Sequence, residues 1–434
     1  MESGAHCCSP SDIGGRTTFG AYTSPVFKSD FLDLAMESRT STSYSLGLLK
    51  EPSRTTLFRQ EPCGVTYRIP ALIYINDGET FLAFAEKRRT WRDCEAEILV
   101  MRRGVHQNGS IQWSPAQELK TAFLPRHRTM NPCPIYERKS KTLYLFFICV
   151  LGTTTEQYQI YTGRNKTRLC YVTSKDNGQS WSKTTDLTKS VFGKEFGNFA
   201  TFAVGPGHGI QMKSGRLIIP AYAYYIHVRC FPFHFPLIVR PHALAFYSDD
   251  CGSTWQMGEQ VDTSSCECEM AEVIDQDSRS HLYCNARSTQ GHRVEALSES
   301  SGAAFDKSHF AQKLVEPCRG CQGSVLSFVP SLRAQGEGKN CVTSNANTWL
   351  LYSHPTNKRS RKALGVYMNK SPLSASSWCQ PWIIHHGPSG YSDLTQFGET
   401  ESFACLMECG ESSELEEIAF VEFSLSDILK SVMT

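Results

Sequence analysis

The chain contains no apolar stretch of the ~18 to 20 residues that a membrane-spanning helix needs. Its longest apolar run, Leu143 to Leu151, has the length of a strand. The start, MESGAHCCSPSDIGG, has no basic segment followed by an apolar one, so no secretory signal is expected. Glu2 stands where myristoylation needs glycine, and the closing SVMT offers no prenylation cysteine. Net charge is nearly absent, with 44 Lys and Arg against 43 Asp and Glu, formally +1. Broad attraction to nucleic acid is therefore not expected, and an anionic ligand has to be caught by a local basic cluster. No HExxH, G-x-S-x-G or phosphate-cradling glycine loop occurs. The 18 cysteines are scattered and include one CxxC, Cys318 to Cys321, without a second pair at zinc-site spacing. They read as free thiols of a reducing compartment, with no structural zinc.

What the chain does have is strands. Ser and Thr fill 14 of the first 52 positions, where apolar clusters are weak. Residues 1–52 are accordingly expected to be a disordered extension, with Cys7 and Cys8 either solvated thiols or acylation sites. From Arg59 onward, short runs rich in Tyr, Phe, Ile, Val and Leu recur between Gly, Asn, Asp, Ser and Pro. Examples are 66–75, 80–88, 96–104, 142–152, 168–176, 216–225, 242–250, 280–288, 349–355, 363–370, 401–410 and 418–425. Helical periodicity is confined to one short segment, LSDILKSV at 425–432. This is an all-β pattern: sandwich, barrel or propeller.

An internal repeat decides between these. Ser174 to Trp181 and Ser248 to Trp255 share S-x-D-x-G-x-x-W, and Ser298 to Phe305 is a third copy lacking the Asp. Each reads as a hairpin in which Asp accepts backbone N–H groups and Gly takes the positive-φ position. Copies 50 to 75 residues apart fit one four-stranded unit each, and 53–434 holds six: a six-bladed β-propeller.

Tyr67-Arg68-Ile69-Pro70 followed by these Asp boxes resembles the sialidase (neuraminidase) family. FLAFAEKR, HRTMNPCP, ATFAVGPGHGIQ, IIPAYAYY and LLYSHPT are similar to its vertebrate intracellular branch, most of all to the membrane-associated members that act on gangliosides. The likeness spans about residues 55 to 425 and implies a retaining exo-α-sialidase with no cofactor and no metal. Sialic acid carries a carboxylate on its anomeric carbon, and a fixed guanidinium fork suits it better than Lys does. By motif the family's three arginines fall on Arg68, Arg287 and Arg361, with Arg359 competing for the last, and Glu408 falls on the carboxylate that orients the first. A carboxylate nucleophile would face the substrate's own carboxylate, and sialidases use Tyr instead. That role falls on Tyr391. Its base falls in CECEMAEV, where Glu267 aligns best and Glu269 and Glu272 compete. The acid/base falls on Asp93, with Arg88 against the sugar.

For the glycerol tail and N-acyl group the resemblance implies a wall of Met130, Asn131, Glu156, Tyr222 and Tyr224. The two tyrosines share a strand face and also read as core residues. His127 and His208 read as core or turn residues. The stretch 225–241, aromatic and broken by proline, reads as a loop whose Phe231, Phe233 and Phe235 either touch lipid or pack on a neighbour. The expected partner is a sialylated glycolipid or glycoprotein, with peripheral contact at the plasma or an endosomal membrane and no nucleic acid. Two alternatives stand beside this: a soluble cytosolic sialidase, and a non-catalytic glycan-binding propeller.

Overall fold

A computed structural model describes residues 51–107, 109–230, 236–331, 348–374, 377–398 and 401–432. The extension expected over 1–52 therefore lies almost wholly outside the described residues, as do Cys7, Cys8, Phe231, Phe233 and Phe235.

Among the described residues every strand pairing is antiparallel, and the strands form five sheets. The first runs Thr66–Ile75, Thr80–Arg88, Ala96–Gln107 and Ser110–Trp113. The second runs His127–Glu137, Thr142–Leu151, Thr167–Ser174 and Thr185–Asp186. The third is built on Phe199–Val204, Leu217–Arg229, Pro236–Ser248 and Gln256–Met257, and the fourth on Cys266–Ile274, Ser280–Arg287, His292–Ser298 and His309–Val315. The last has seven strands, from Ser324–Phe328 through Trp382–Phe397 to Glu417–Ser424. Arg54–Arg59 closes its edge by pairing with Glu417–Ser424, so the two ends of the described chain share one sheet. This is the all-β propeller arrangement.

Sequence-adjacent strands pair through short turns, which keeps the pairing local and leaves the first strand of each sheet facing the centre. The centre is polar. The Asp393 carboxylate accepts from Leu72 N at 2.6 Å, from His208 Nδ1 at 2.7 Å and from Ser324 Oγ at 2.9 Å. Glu269 accepts from Val325 N at 3.0 Å and lies 2.7 Å from the same Ser324 hydroxyl. Burial, reinforced by Asp393, pushes the Glu269 carboxyl well above the usual range. The central strands of the sheets are thus tied together by buried hydrogen bonds, and the apolar core lies between the sheets.

The three repeat segments sit at the turn between third and fourth strands. Ser180 N and Thr254 N donate to Asp176 and Asp250 Oδ1 at 2.9 and 2.8 Å. In the third copy the Ser300 hydroxyl takes over, accepting from Ala304 N at 2.8 Å. Gly252 has φ +88°, and a Cβ there would stand 2.4 Å from the Tyr144 hydroxyl, so only glycine fits. Hydrogen bonds from Thr254 hold the Asp250 carboxyl down at about 2, against an ordinary 3.8. A depressed carboxyl stabilises the fold above its unfolded value and loses that effect as pH falls through the folded one. Asp250→Ala should therefore melt below the parent protein at pH 7, and the gap should close as pH approaches 2. A constant gap across that range would refute this origin.

One expectation is corrected. Residues 225–229 and 236–241, read from sequence as a loop, continue the strands Leu217–Arg229 and Pro236–Ser248 as a long hairpin. Pro236 stands at the first position of its strand, where a missing N–H costs the ladder nothing. The β-branched Ile226, Val228, Ile238 and Val239 favour extension.

Candidate active site

Tyr391 lies in the second half of Trp382–Phe397, buried against Ile69 and Cys321. Its hydroxyl donates to Glu267 Oε1 at 2.5 Å. The other Glu267 oxygen accepts from Arg287 Nη1 at 2.6 Å, and that nitrogen also lies 3.1 Å from the Tyr391 hydroxyl. Burial, followed by the Glu267 charge, pushes the Tyr391 phenol well above its ordinary 10, while Arg287 and Arg361 pull it back. The resting phenol is neutral, with a carboxylate placed to take its proton.

A local irregularity aims Glu267. The ladder between Cys266–Ile274 and Ser280–Arg287 slips between Cys266 and Cys268, and Glu267 has φ +23°. A bulge of this kind redirects a side chain that a regular strand would place with Glu269. Glu269 instead joins the central cluster with Asp393. Glu272 accepts from Lys213 N at 2.7 Å and Ser280 Oγ at 2.6 Å, on another face. Of the three competing glutamates, Glu267 is the one that bonds to Tyr391.

Three arginines surround the phenol. Arg68 is buried and bonds Glu408 through Nε at 2.6 Å and Nη2 at 3.2 Å. Glu408 also accepts from Ile69 N at 2.9 Å and Tyr391 N at 3.0 Å, so it sets both Arg68 and the Tyr391 backbone. Burial opposes the Arg68 charge, but Glu408 outweighs it and keeps the guanidinium protonated. Arg287 is anchored from behind by the Arg319 carbonyl, which its Nε and Nη2 meet at 3.1 and 2.7 Å. Arg361 is half-buried, donates to Gly320 O at 3.0 Å, and stands 5.3 Å from the Tyr391 ring centroid. Its Nη1 is buried without a hydrogen-bond partner among the described residues. Arg359 is exposed; its backbone N–H donates to Asn357 Oδ1 at 2.8 Å. Of the two competitors, Arg361 is the one brought to the site.

Asp93 begins a short 3-10 turn after Thr80–Arg88, and its carboxylate receives Arg88 Nη1 at 2.5 Å. Arg88 also bonds Glu86 at 2.8 Å, and Glu86 in turn accepts from Asn131 N at 2.7 Å. Met130 and Asn131 are buried side by side in His127–Glu137, Asn131 at φ +57°. Tyr222 and Tyr224 face one way, their ring centroids 6.2 Å apart. Both belong to the largest apolar cluster, while burial and then Glu156 raise their phenols, so they are core residues whose hydroxyls reach the field of the site. Glu156 opens the helix Glu156–Thr162, whose N-cap Thr155 accepts from Tyr158 N.

The chain matches a BNR repeat-like domain over residues 79–403. It is 50% identical over 422 residues to Sialidase-3 of Bos taurus, covering 92% of this chain and 96% of that protein. Identity to Sialidase-3 of Homo sapiens is 48% over 396 residues, with 86% and 92% covered. The chain belongs to the sialidase family. Among solved structures, the Hadza microbial sialidase Hz136 superposes with a TM-score of 0.68 at 20% identity, over 86% of this chain and 69% of that one. That likeness gives the sialidase propeller fold. This sialidase is a glycosidase of sialylated glycoconjugates, and its tyrosine, glutamates and arginines, drawn from 68 to 408 in the sequence, meet in one cluster.

Residues the sequence did not single out support the site from behind. The Arg319 and Gly320 carbonyls, which hold Arg287 and Arg361, fall in the CRGC segment that had drawn notice only for its cysteines. A Cβ on Gly320 would come within 2.9 Å of Arg287 Nε, which explains the glycine. Arg128 is the other omission: one guanidinium that spans two loops.

Proposed function

We propose that this sialidase is a retaining exo-α-sialidase releasing terminal sialic acid from gangliosides, with Tyr391 as nucleophile, Glu267 as its base and Asp93 as acid/base. The 2.5 Å bond from Tyr391 to Glu267 carries this reading. In the first step Tyr391 Oη bonds to the anomeric carbon as the aglycone bond breaks. The phenol proton passes to Glu267, and Asp93 supplies a proton to the leaving oxygen. In the second step Asp93 takes a proton from water, whose oxygen displaces Tyr391, and Glu267 returns its proton to the phenolate. Two displacements leave the configuration retained. Arg68, Arg287 and Arg361 take the substrate carboxylate, Arg88 the ring edge, and Met130, Asn131, Glu156, Tyr222 and Tyr224 the glycerol and N-acyl groups. Glu408 supports Arg68.

The same reading counts six blades over 53–434, following the extension 1–52. Trp382–Phe397 pairs with Lys362–Asn369 up to Pro388 and with Ser402–Cys409 from Ser389, which supports counting the seven-stranded sheet as two blades sharing one bent strand. On this reading the repeat turns at 174–181, 248–255 and 298–305 are Asp-box hairpins.

Peripheral membrane contact belongs to the proposal. No helix among the described residues is long and apolar enough to cross a membrane. Yet the hairpin that carries Tyr222 and Tyr224 exposes Val228, Leu237 and Ile238 towards its tip, with exposed Arg229 and Arg240 beside them. An apolar edge with flanking cations suits a lipid interface. Alkaline carbonate should strip at least part of the protein from membranes, and complete resistance would refute the peripheral reading. Substrate choice is tested by comparing sialic acid release from ganglioside micelles and from a soluble sialoglycoprotein, with membrane and soluble fractions assayed apart. Preference for the glycoprotein by wholly soluble enzyme would overturn the ganglioside assignment.

A further inference from the structure

Arg128 lies in His127–Glu137, two residues before Met130, and is only 7% exposed. All three of its guanidinium nitrogens donate to backbone carbonyls. Nε reaches Asp93 O at 3.1 Å, Nη1 reaches Gly152 O at 2.7 Å and Nη2 reaches Thr154 O at 2.7 Å. No ion pair is formed by this arginine among the described residues. Burying a guanidinium on neutral acceptors alone is costly, so such a placement needs a return. Burial accordingly pulls its pKa below the ordinary value.

The acceptors belong to two different loops. Asp93 O is in the segment that follows Thr80–Arg88. Gly152 and Thr154 are in the segment that leads, through the N-cap Thr155, to Glu156. One side chain therefore pins the loop of the acid to the loop that leads to the glycerol and N-acyl wall. Arg88 Nη1 meanwhile holds the Asp93 carboxylate at 2.5 Å. To give up a proton, that carboxyl has to leave Arg88 and be protonated first. Were the whole 89–95 segment free, the acid would be displaced with its loop. With Asp93 O pinned, only the side-chain torsions remain.

We propose that Arg128 is a positioning residue for proton transfer: it fixes the Asp93 backbone against the Gly152–Thr154 segment, so that the acid moves by side-chain rotation alone. This rests on the reading of Asp93 as acid/base. The prediction follows from what misplacement does to a general acid. Substrates whose leaving group needs no proton are insensitive to it, and alkyl-type sialosides are not. A displacement of about 1 Å in a reacting group costs on the order of 100-fold.

The test compares Arg128→Met, Arg128→Gln and Arg128→Lys with Asp93→Asn, on an aryl sialoside and on sialyllactose. Arg128→Gln keeps one donor and serves if Arg128→Met does not fold. Arg128→Lys keeps the charge but cannot span three carbonyls. Each variant should lower the ratio of kcat/KM for sialyllactose to that for the aryl substrate by ~10- to 100-fold. A purely structural arginine would lower both alike and leave the ratio unchanged, which overturns the proposal. If Asp93→Asn shifts the ratio and the Arg128 variants do not, Arg128 alone is misassigned. If Asp93→Asn leaves the ratio unchanged, the acid assignment falls and this proposal with it.

Discussion

Tyr391→Phe should lose sialic acid release by ~1,000-fold or more and should no longer be trapped covalently by a fluorinated sialosyl inactivator. The phenol is bonded to a carboxylate and neutral at rest. Burial and Glu267 raise its pKa, so an unassisted phenolate is scarce at neutral pH, and attack has to be coupled to proton transfer. Glu267 is held in acceptor position by its second bond, to Arg287. Glu267→Gln keeps an acceptor oxygen at that place but cannot take the proton, and should be nearly as inactive. Because the two act as one unit, the double variant should be little worse than either single one. Deleting the Tyr391 oxygen leaves Arg68, Arg361 and the ring in place, so binding of an uncleaved analogue should persist. NMR of the first-formed product decides the outline. α-Sialic acid at early times is expected, and the β-anomer would sink the double-displacement mechanism.

The limits of the sequence reading trace to where the chemistry sits. Some strands were legible to the residue: 66–75, 80–88 and 349–355 were read with the bounds they have in the fold. The strands least legible were His127–Glu137, Phe199–Val204, Cys266–Ile274 and Trp382–Phe397. These include central strands, where Pro132, Pro134, Gly387 and Pro388 bend the chain, and Asp393, Glu267 and Glu269 replace apolar residues facing the axis. Polar side chains on a face that is buried by other polar groups erase the alternation on which a strand reading depends. The same cause explains the site. Arg68, Tyr391 and Glu408 were reachable through motif likeness. Motif likeness also favoured Glu267 over Glu269 and Glu272, but the bulge at φ +23° that aims it is announced by nothing in CECEMAEV. The third arginine was favoured as Arg361 by its spacing to Gly365, while the turn that leaves Arg359 in solvent and swings Arg361 over the ring had no signal. Arg128 had no signal at all, since its partners are backbone carbonyls that carry no sequence identity.

The arginines should separate by what each touches besides the substrate. Replacement of Arg68, Arg287 or Arg361 by Lys keeps charge but breaks the planar fork, and each should lower kcat/KM by at least ~100-fold, about 3 kcal/mol. A carboxylate held alike in ground and transition states contributes to KM and leaves kcat unchanged. That describes Arg361, whose buried Nη1 has no protein partner among the described residues. Its Lys variant should therefore act chiefly on KM. Arg287 is different, because Nη1 also touches Tyr391 Oη and Glu267. A lysine there withdraws charge from the phenol as it gives up its proton, so kcat should fall as well as affinity. Arg68→Lys removes the fork from Glu408, whose Oε2 then keeps only the Tyr391 N–H as donor, and should show both effects with some loss of thermal stability. Arg359→Lys is the control: exposed and engaged only through its backbone, it should stay within ~2-fold of the parent enzyme. An active Arg361→Lys beside an inactive Arg359→Lys would transfer the carboxylate-binding role to Arg359 and require the 356–361 turn to refold around substrate.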